Sequence, residues 1–137
     1  MGVLSLGDLV AEAERLRVLI VDDNMDAAEA LAALFAFDGA EARVEQDATN
    51  ITDVMDAFDP MLVLMDLELP GLDGFEACRL IRREKGGNVY VAALTGWSRE
   101  EDATRSREAG FDMHLTKPIG PDRLKQLSKL AEARKAG

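Results

Sequence analysis

Two short runs constrain this chain more than anything else in it. Val18 to Val21 (VLIV) and Met61 to Met65 (MLVLM) are apolar at every position. Successive strand side chains point to opposite faces, so a half-exposed strand alternates apolar and polar residues. An unbroken apolar run of strand length therefore needs cover on both faces, as in a parallel sheet between two helical layers. Both runs stop abruptly at carboxylates, Asp22-Asp23 and Asp66.

The sequence between the runs supplies the helices. Met25, Ala28, Leu31, Ala32 and Phe35 recur at helical spacing until Asp38-Gly39 ends them. Ala42 to Glu45 is a poorer strand, suited to an edge, and a helix over 50–58 closes at Asp59-Pro60. A loop over 67–72 holds the turn signal Pro70-Gly71, and a helix over 74–84 follows. Val89 to Leu94 (VYVAAL) is the fourth strand. Ser98 caps a polar helix that Gly110 terminates, and Phe111 to Leu115 is the fifth strand. Leu124, Leu127, Leu130 and Ala131 mark the inward face of a last helix over 122–133. Five strands, each followed by a helix, predict one α/β domain with a parallel sheet and right-handed crossovers.

Residues 17–134 form that domain, with 135–137 as a tail and 1–16 as an N-terminal extension. Leu6, Leu9, Val10, Ala13 and Leu16 share one helical face, so the extension is expected to be a helix packing on the domain or on a second copy of the chain, as a homodimer. A frayed tail or the remnant of a linker is the plainer alternative. Only 19 residues follow Pro118, which leaves no room for a DNA-binding output domain within this sequence.

Charge narrows the partners. The 16 basic and 26 acidic side chains leave a net charge of −10. Affinity for nucleic acid or an anionic membrane comes from Lys and Arg neutralising phosphates, so neither is expected as a partner. No apolar run approaches the roughly 20 residues of a membrane span, and the start lacks a secretory pattern, so a cytoplasmic location is expected. Cys78 is the one cysteine, which excludes an internal disulfide or a cysteine-rich metal site. The acids crowd residues 1–75, with 17 against three bases, whereas 76–137 hold nine against 13.

In open α/β sheets ligands bind beyond the carboxyl ends of the strands. That rule selects Asp22, Asp23, Asp66, Thr95 and Lys117, each directly after a strand run or within two residues of one. Three carboxylates at neighbouring strand ends repel one another without a cation. Hard oxygen ligands suit Mg²⁺ (or Mn²⁺), which binds a few carboxylates together with phosphate. A carboxylate nucleophile, a metal, an ammonium group and a hydroxyl are the parts that phosphoryl transfer requires.

With these residues in place, the chain resembles the receiver domains of two-component response regulators. The resemblance rests on VLIVDDN (18–24), VLMDLELPGLDG (63–74), VAALTGWS (91–98) and HLTKPI (114–119). It implies a flavodoxin-like (βα)5 fold with strand order 2-1-3-4-5. It further implies that Asp66 is the phosphoacceptor for a phosphohistidine of a histidine kinase or phosphotransfer protein. Asp23 would bind Mg²⁺ directly, Asp22 through water, Asp66 through a second oxygen and Glu68 through its backbone carbonyl. Lys117 would pair with the phosphoryl oxygens, and Thr95 would swing toward them to start the switch. The changed surface would be the fourth helix, fifth strand and fifth helix, read by a downstream protein effector. A cis Lys117-Pro118 bond is also implied. Both a free-standing receiver and one cut from a hybrid histidine kinase are compatible with GFDMHLTKPI (110–119).

Three positions depart from the family pattern or add to it. His114 stands where a switch Tyr or Phe is usual; it either fills that slot or makes the switch respond to protonation. Glu68 and Trp97 lie two residues beyond Asp66 and Thr95, at the mouth of the site, where they would tune phosphate lifetime. Solvated loop and packing roles are the plainer alternatives for these two. The rival function is an aspartate-nucleophile phosphohydrolase of small phosphoesters, but Glu68 is followed by Leu69-Pro70 rather than closely by Thr. A receiver is a phosphoacceptor rather than a turnover enzyme.

Overall fold

Residues 15–69, 71–96 and 100–136 are described by the computed structural model. β1 (Arg17–Val21), β2 (Glu41–Glu45), β3 (Leu62–Asp66), β4 (Tyr90–Thr95) and β5 (Met113–Thr116) form one sheet. Its order is β2-β1-β3-β4-β5 and every pairing is parallel, as the sequence resemblance implied. Between and after the strands lie α1 (Met25–Phe37), α2 (Ile51–Phe58), α3 (Gly74–Lys85), α4 (Glu100–Ala109) and α5 (Pro121–Ala136).

The two apolar runs sit at the centre of the sheet, and alternate residues feed two separate cores. Leu19, Val21, Val63 and Met65 pack toward α2 and α3, through Val54, Met55, Phe75 and Ile81. Val18, Ile20, Leu62 and Leu64 pack toward α1 and α5, through Ala28, Phe35, Leu124 and Leu127. β2 lies at an edge and is half-buried, in keeping with its mixed sequence.

The strand ends differ slightly from expectation. Met61 and Phe111 lie just outside β3 and β5 although both are buried, and Met61 still bonds to both neighbouring strands, through its N–H to Arg17 O (2.9 Å) and its carbonyl to the Tyr90 N–H (3.0 Å). β4 runs on to Thr95, which pairs with Thr116. The helix expected before β1 and the expected cap Ser98 lie outside the described residues.

One cluster ties down the end of the sheet remote from the strand carboxyl ends. Arg82 of α3 donates from Nε to Gly110 O (2.7 Å) and from Nη1 to Gly86 O (2.9 Å) and Val89 O (2.7 Å). Its Nη2 meets Asp112 Oδ2 at 2.6 Å. Asp112 also accepts from the Val91 N–H (2.9 Å) and pairs with Arg134 of α5 (2.8 Å). Cys78 is buried in the core, where desolvation pushes its thiol up to about 12. Among the described residues no helix is long and apolar enough to cross a membrane.

Candidate functional site

β1 delivers Asp22 and Asp23 to the carboxyl edge, and the next residue frees them for chemistry. Asn24 is the N-cap of α1, its Oδ1 accepting from the Ala27 N–H at 3.2 Å. A side-chain oxygen there satisfies an orphan amide of the first turn. Asp22 instead accepts from the Asn24 N–H at 3.0 Å and points into the site, 3% exposed, while Asp23 is exposed.

β3 ends on Asp66, which is 3% exposed and accepts from the Glu68 N–H at 2.9 Å. Gly74, the first residue of α3, lets that helix approach closely. A Cβ there would lie 2.5 Å from the Asp66 carbonyl oxygen and 3.0 Å from Leu67 Cα. The helix can start against the backbone of Asp66 because residue 74 has no side chain.

Lys117 follows β5, and its N–H donates to Thr95 O at 2.8 Å. The Lys117-Pro118 peptide is cis, as expected. Its Nζ reaches Asp22 Oδ2 at 2.8 Å and Asp66 Oδ2 at 3.3 Å. Thr95 is buried, and its hydroxyl donates to Glu68 Oε1 at a long 3.4 Å.

The charges do not balance evenly. Burial disfavours the Asp22 carboxylate, but hydrogen bonds from Lys117 and the Asn24 N–H outweigh it and hold the group below its ordinary 3.8. Burial dominates at Asp66, where Asp22 adds to it and the Glu68 N–H and Lys117 only partly offset it, so that carboxyl is raised. Burial opposes the Lys117 ammonium, yet the two aspartates more than compensate and raise it. One ammonium facing two buried carboxylates leaves room for a further cation.

A divalent ion would meet that need. Asp22, Asp23 and Asp66 each offer a carboxylate oxygen, and the three oxygens lie within 4.8 Å of one another. An all-oxygen donor set with one exposed member suits Mg²⁺ or Mn²⁺, which keep water and phosphate among their ligands.

The five residues selected from the strand ends thus meet at one edge. Among the described residues the Glu68 side chain joins them through its contact with Thr95 rather than with Lys117. Trp97 lies outside the described residues. His114 stands apart from the carboxylates: it pairs in register with Ala93 on β5, and its Nδ1 lies 2.8 Å from Ser106 Oγ of α4. Among the described residues its Nε2 is buried without a hydrogen-bond partner.

Gly74 and Ser106 were not legible as site-supporting residues. The signal for Ser106 is its place in the small-residue series Ala103, Ser106, Ala109, which marks the inner face of a highly charged helix. For Gly74 it is a glycine directly after the capping Asp73, at the first helical position.

Comparison with known proteins agrees with this geometry. The family model for the response regulator receiver domain matches residues 18–129. The DNA-binding response regulator MtrA of Mycobacterium tuberculosis is 34% identical over 110 residues, covering 80% of this chain and 47% of that protein. The chain spans about half the length of the MtrA relatives it matches. The BeF3-activated N-terminal receiver domain of RstA from Klebsiella pneumoniae superposes with a TM-score of 0.78 at 26% identity, covering 85% of this chain and 97% of that one. A CheY-like receiver domain protein from Methanospirillum hungatei shares the fold, with a TM-score of 0.81 at 24% identity over 89% of this chain and 98% of that one.

Proposed function

The chain belongs to the family of response regulator receiver domains, and on that premise we propose that it is a phosphorylatable switch with Asp66 as the phosphoacceptor. The observation that carries this reading is the convergence of Asp22, Asp66 and Lys117 at one sheet edge, with Lys117 Nζ 2.8 Å from Asp22 and 3.3 Å from Asp66.

An Asp66 carboxylate oxygen attacks phosphorus of a phosphohistidine, on a histidine kinase or phosphotransfer protein; the new O–P bond forms as the N–P bond breaks, and the released imidazole takes a proton. Lys117 holds a phosphoryl oxygen, leaving Asp22 the weaker claimant on its charge. The Thr95 hydroxyl leaves Glu68 and donates to the phosphoryl group. Asp22, Asp23, Asp66 and the Glu68 carbonyl are the groups that would hold Mg²⁺, which when bound neutralises charge on the transferring phosphoryl oxygens.

Phosphorylation replaces the Asp66 carboxylate with a phosphoryl group of about −1.5 to −2 charge, beside buried Asp22 and exposed Asp23. The loops after β4 and β5 respond, and with them α4, β5 and α5, the surface offered to a downstream protein effector. Action in the cytoplasm, without nucleic acid or membrane as a direct partner of this domain, follows from the same reading. Glu68 tunes phosphate lifetime through its hold on Thr95, so Glu68→Gln is expected to change the dephosphorylation rate of the purified phosphoprotein.

Incubation with radiolabelled acetyl phosphate and Mg²⁺ tests the proposal. Incorporation that saturates at one phosphate per chain and vanishes in Asp66→Asn is expected. Continuous turnover without a stable adduct would instead indicate a phosphohydrolase, and label retained in Asp66→Asn would place the acceptor elsewhere.

A further inference from the structure

α4 lacks what holds the other helices to the sheet. α1 sends Phe35 into the core, α2 sends Val54 and Met55, α3 sends Phe75 and Ile81, and α5 sends Leu124 and Leu127. The α4 sequence, EEDATRSREA, offers only Ala103 and Ala109 as apolar residues, and of these Ala109 is buried. Burial stabilises in proportion to the apolar area removed from water, so two methyl groups anchor a helix weakly. A helix of ten residues is also marginal without tertiary packing.

Two adjacent residues of α4 supply side-chain clamps instead. The Arg105 guanidinium lies over the Phe75 ring, 4.1 Å from its centroid, although Arg105 itself is exposed. Phe75 also meets Phe111 edge-on at 6.3 Å, and it follows Gly74, the residue packed against the Asp66 carbonyl. Ser106, 1% exposed, places its Oγ 2.8 Å from His114 Nδ1 on β5. One clamp thus ties α4 to α3 and the other ties it to the edge strand. The C-terminal end is fastened separately. There the Phe111 N–H donates to Ser106 O at 2.9 Å, Gly110 turns the chain with φ of 105°, and Arg82 Nε donates to Gly110 O at 2.7 Å.

We propose that α4 is a latched helix that opens as a unit about Gly110, with Arg105 and Ser106 as the positioning residues that latch it. Opening breaks the cation–π contact and the Ser106–His114 hydrogen bond, melts the helix and uncovers Phe75 and His114, while the sheet and the other helices stay folded. The two latches set how often this happens, because α4 has no larger apolar side chain to hold it down. Arg105 in addition ties α4 to the helix start that rests on the Asp66 backbone. This inference concerns local stability and is independent of whether Asp66 takes phosphate.

Native-state hydrogen exchange of the full chain at pH 7 tests it, followed residue by residue by NMR at urea concentrations below the unfolding transition. The α4 amides are expected to exchange about tenfold or more faster than those of β1 and β3, with little dependence on urea, as for an opening that exposes little surface. Arg105→Ala and Ser106→Ala are each expected to speed α4 exchange about threefold to fivefold, and the double variant by about the product. Alanine is the better helix former, so propensity alone would slow exchange instead. Arg105→Lys keeps a cation over the ring and Ser106→Thr keeps the hydroxyl, so both are expected to stay nearer to wild type than the alanine variants. Exchange of α4 amides at the rate and urea dependence of the sheet amides would overturn the proposal, since the helix would then unfold only with the whole domain. So would alanine variants that leave α4 exchange unchanged or slow it, or Lys and Thr replacements that speed it as much as alanine does.

Discussion

Lys117 Nζ lies 2.8 Å from Asp22 Oδ2, closer than its 3.3 Å to Asp66 Oδ2, although all three side chains share one edge of the sheet. The unequal distances leave Asp66 the less compensated of two buried carboxylates.

That inequality sets a stability cost on the Asp66 carboxylate. The Asp66 carboxyl is raised above 3.8, so its contribution to stability is fully present below 3.8 and is lost as pH rises through its folded value. Asp22 has the opposite sign: its contribution is present above 3.8 and is lost as pH falls through its lowered folded value. At pH 7 in chelator, Asp66→Asn should therefore raise stability by about 1 kcal/mol, or Tm by about 3 °C, while Asp22→Asn lowers it. Thermal melts between pH 5 and 8 check both signs.

Lys117 adds an alkaline limit. Its ammonium is raised above 10.5, so its contribution is fully present below 10.5 and is lost as pH rises through the folded value. Lys117→Met should flatten the loss of stability above pH 10.5 and also leave Asp22 and Asp66 facing each other unscreened at neutral pH. Urea titrations at pH 7 and above 10.5 separate the two effects.

Gly74→Ala should harm the site more than its size suggests. The new Cβ would sit 2.5 Å from the Asp66 carbonyl oxygen, a contact that only a backbone shift can relieve. A loss of about 1–3 kcal/mol is expected, as for other overpacked positions. Because the shifted backbone belongs to Asp66, acetyl phosphate labelling should fall in protein that is still folded, as judged by circular dichroism.

Arg82 should be the costliest polar side chain to remove. It satisfies three carbonyls and meets Asp112 at 2.6 Å, with the two side chains 19% and 17% exposed. Truncating one partner of a largely buried pair leaves the other uncompensated, and about 2–3 kcal/mol should be lost in Arg82→Ala by urea denaturation. Asp112→Asn should cost less than Asp112→Ala, since an amide oxygen still accepts from the Val91 N–H.

Ser106 and His114 should be strongly coupled. Ser106 Oγ is 2.8 Å from Nδ1, and among the described residues Nε2 is buried without a partner. Ser106→Ala should cost about 1 kcal/mol by stripping the ring of its remaining hydrogen bond. In a His114→Phe background the same change should be close to neutral. A melting-curve cycle over the four proteins measures the difference.

Much of this was legible in one dimension because its causes are local. An apolar run needs cover on both faces whatever surrounds it, so VLIV and MLVLM announced central parallel strands. The edge position of β2 showed in the mixed sequence around Val44. The site residues showed as polar residues placed where apolar runs stop, and the rule that ligands gather beyond strand carboxyl ends needs no coordinates. The resemblance then supplied the strand order.

What only the tertiary structure decided are relations between residues distant in sequence. Lys117 and Asp22 are 95 positions apart, and no local pattern says that the lysine favours Asp22 over Asp66. The need for glycine at 74 comes from the Asp66 backbone lying under a helix start, and His114 gains its partner from the facing helix α4. Periodicity along the chain specifies which face of an element is apolar, because side-chain direction follows local geometry. Distances across elements depend on how the layers pack, and that is where the balance of charge at Asp66 was set.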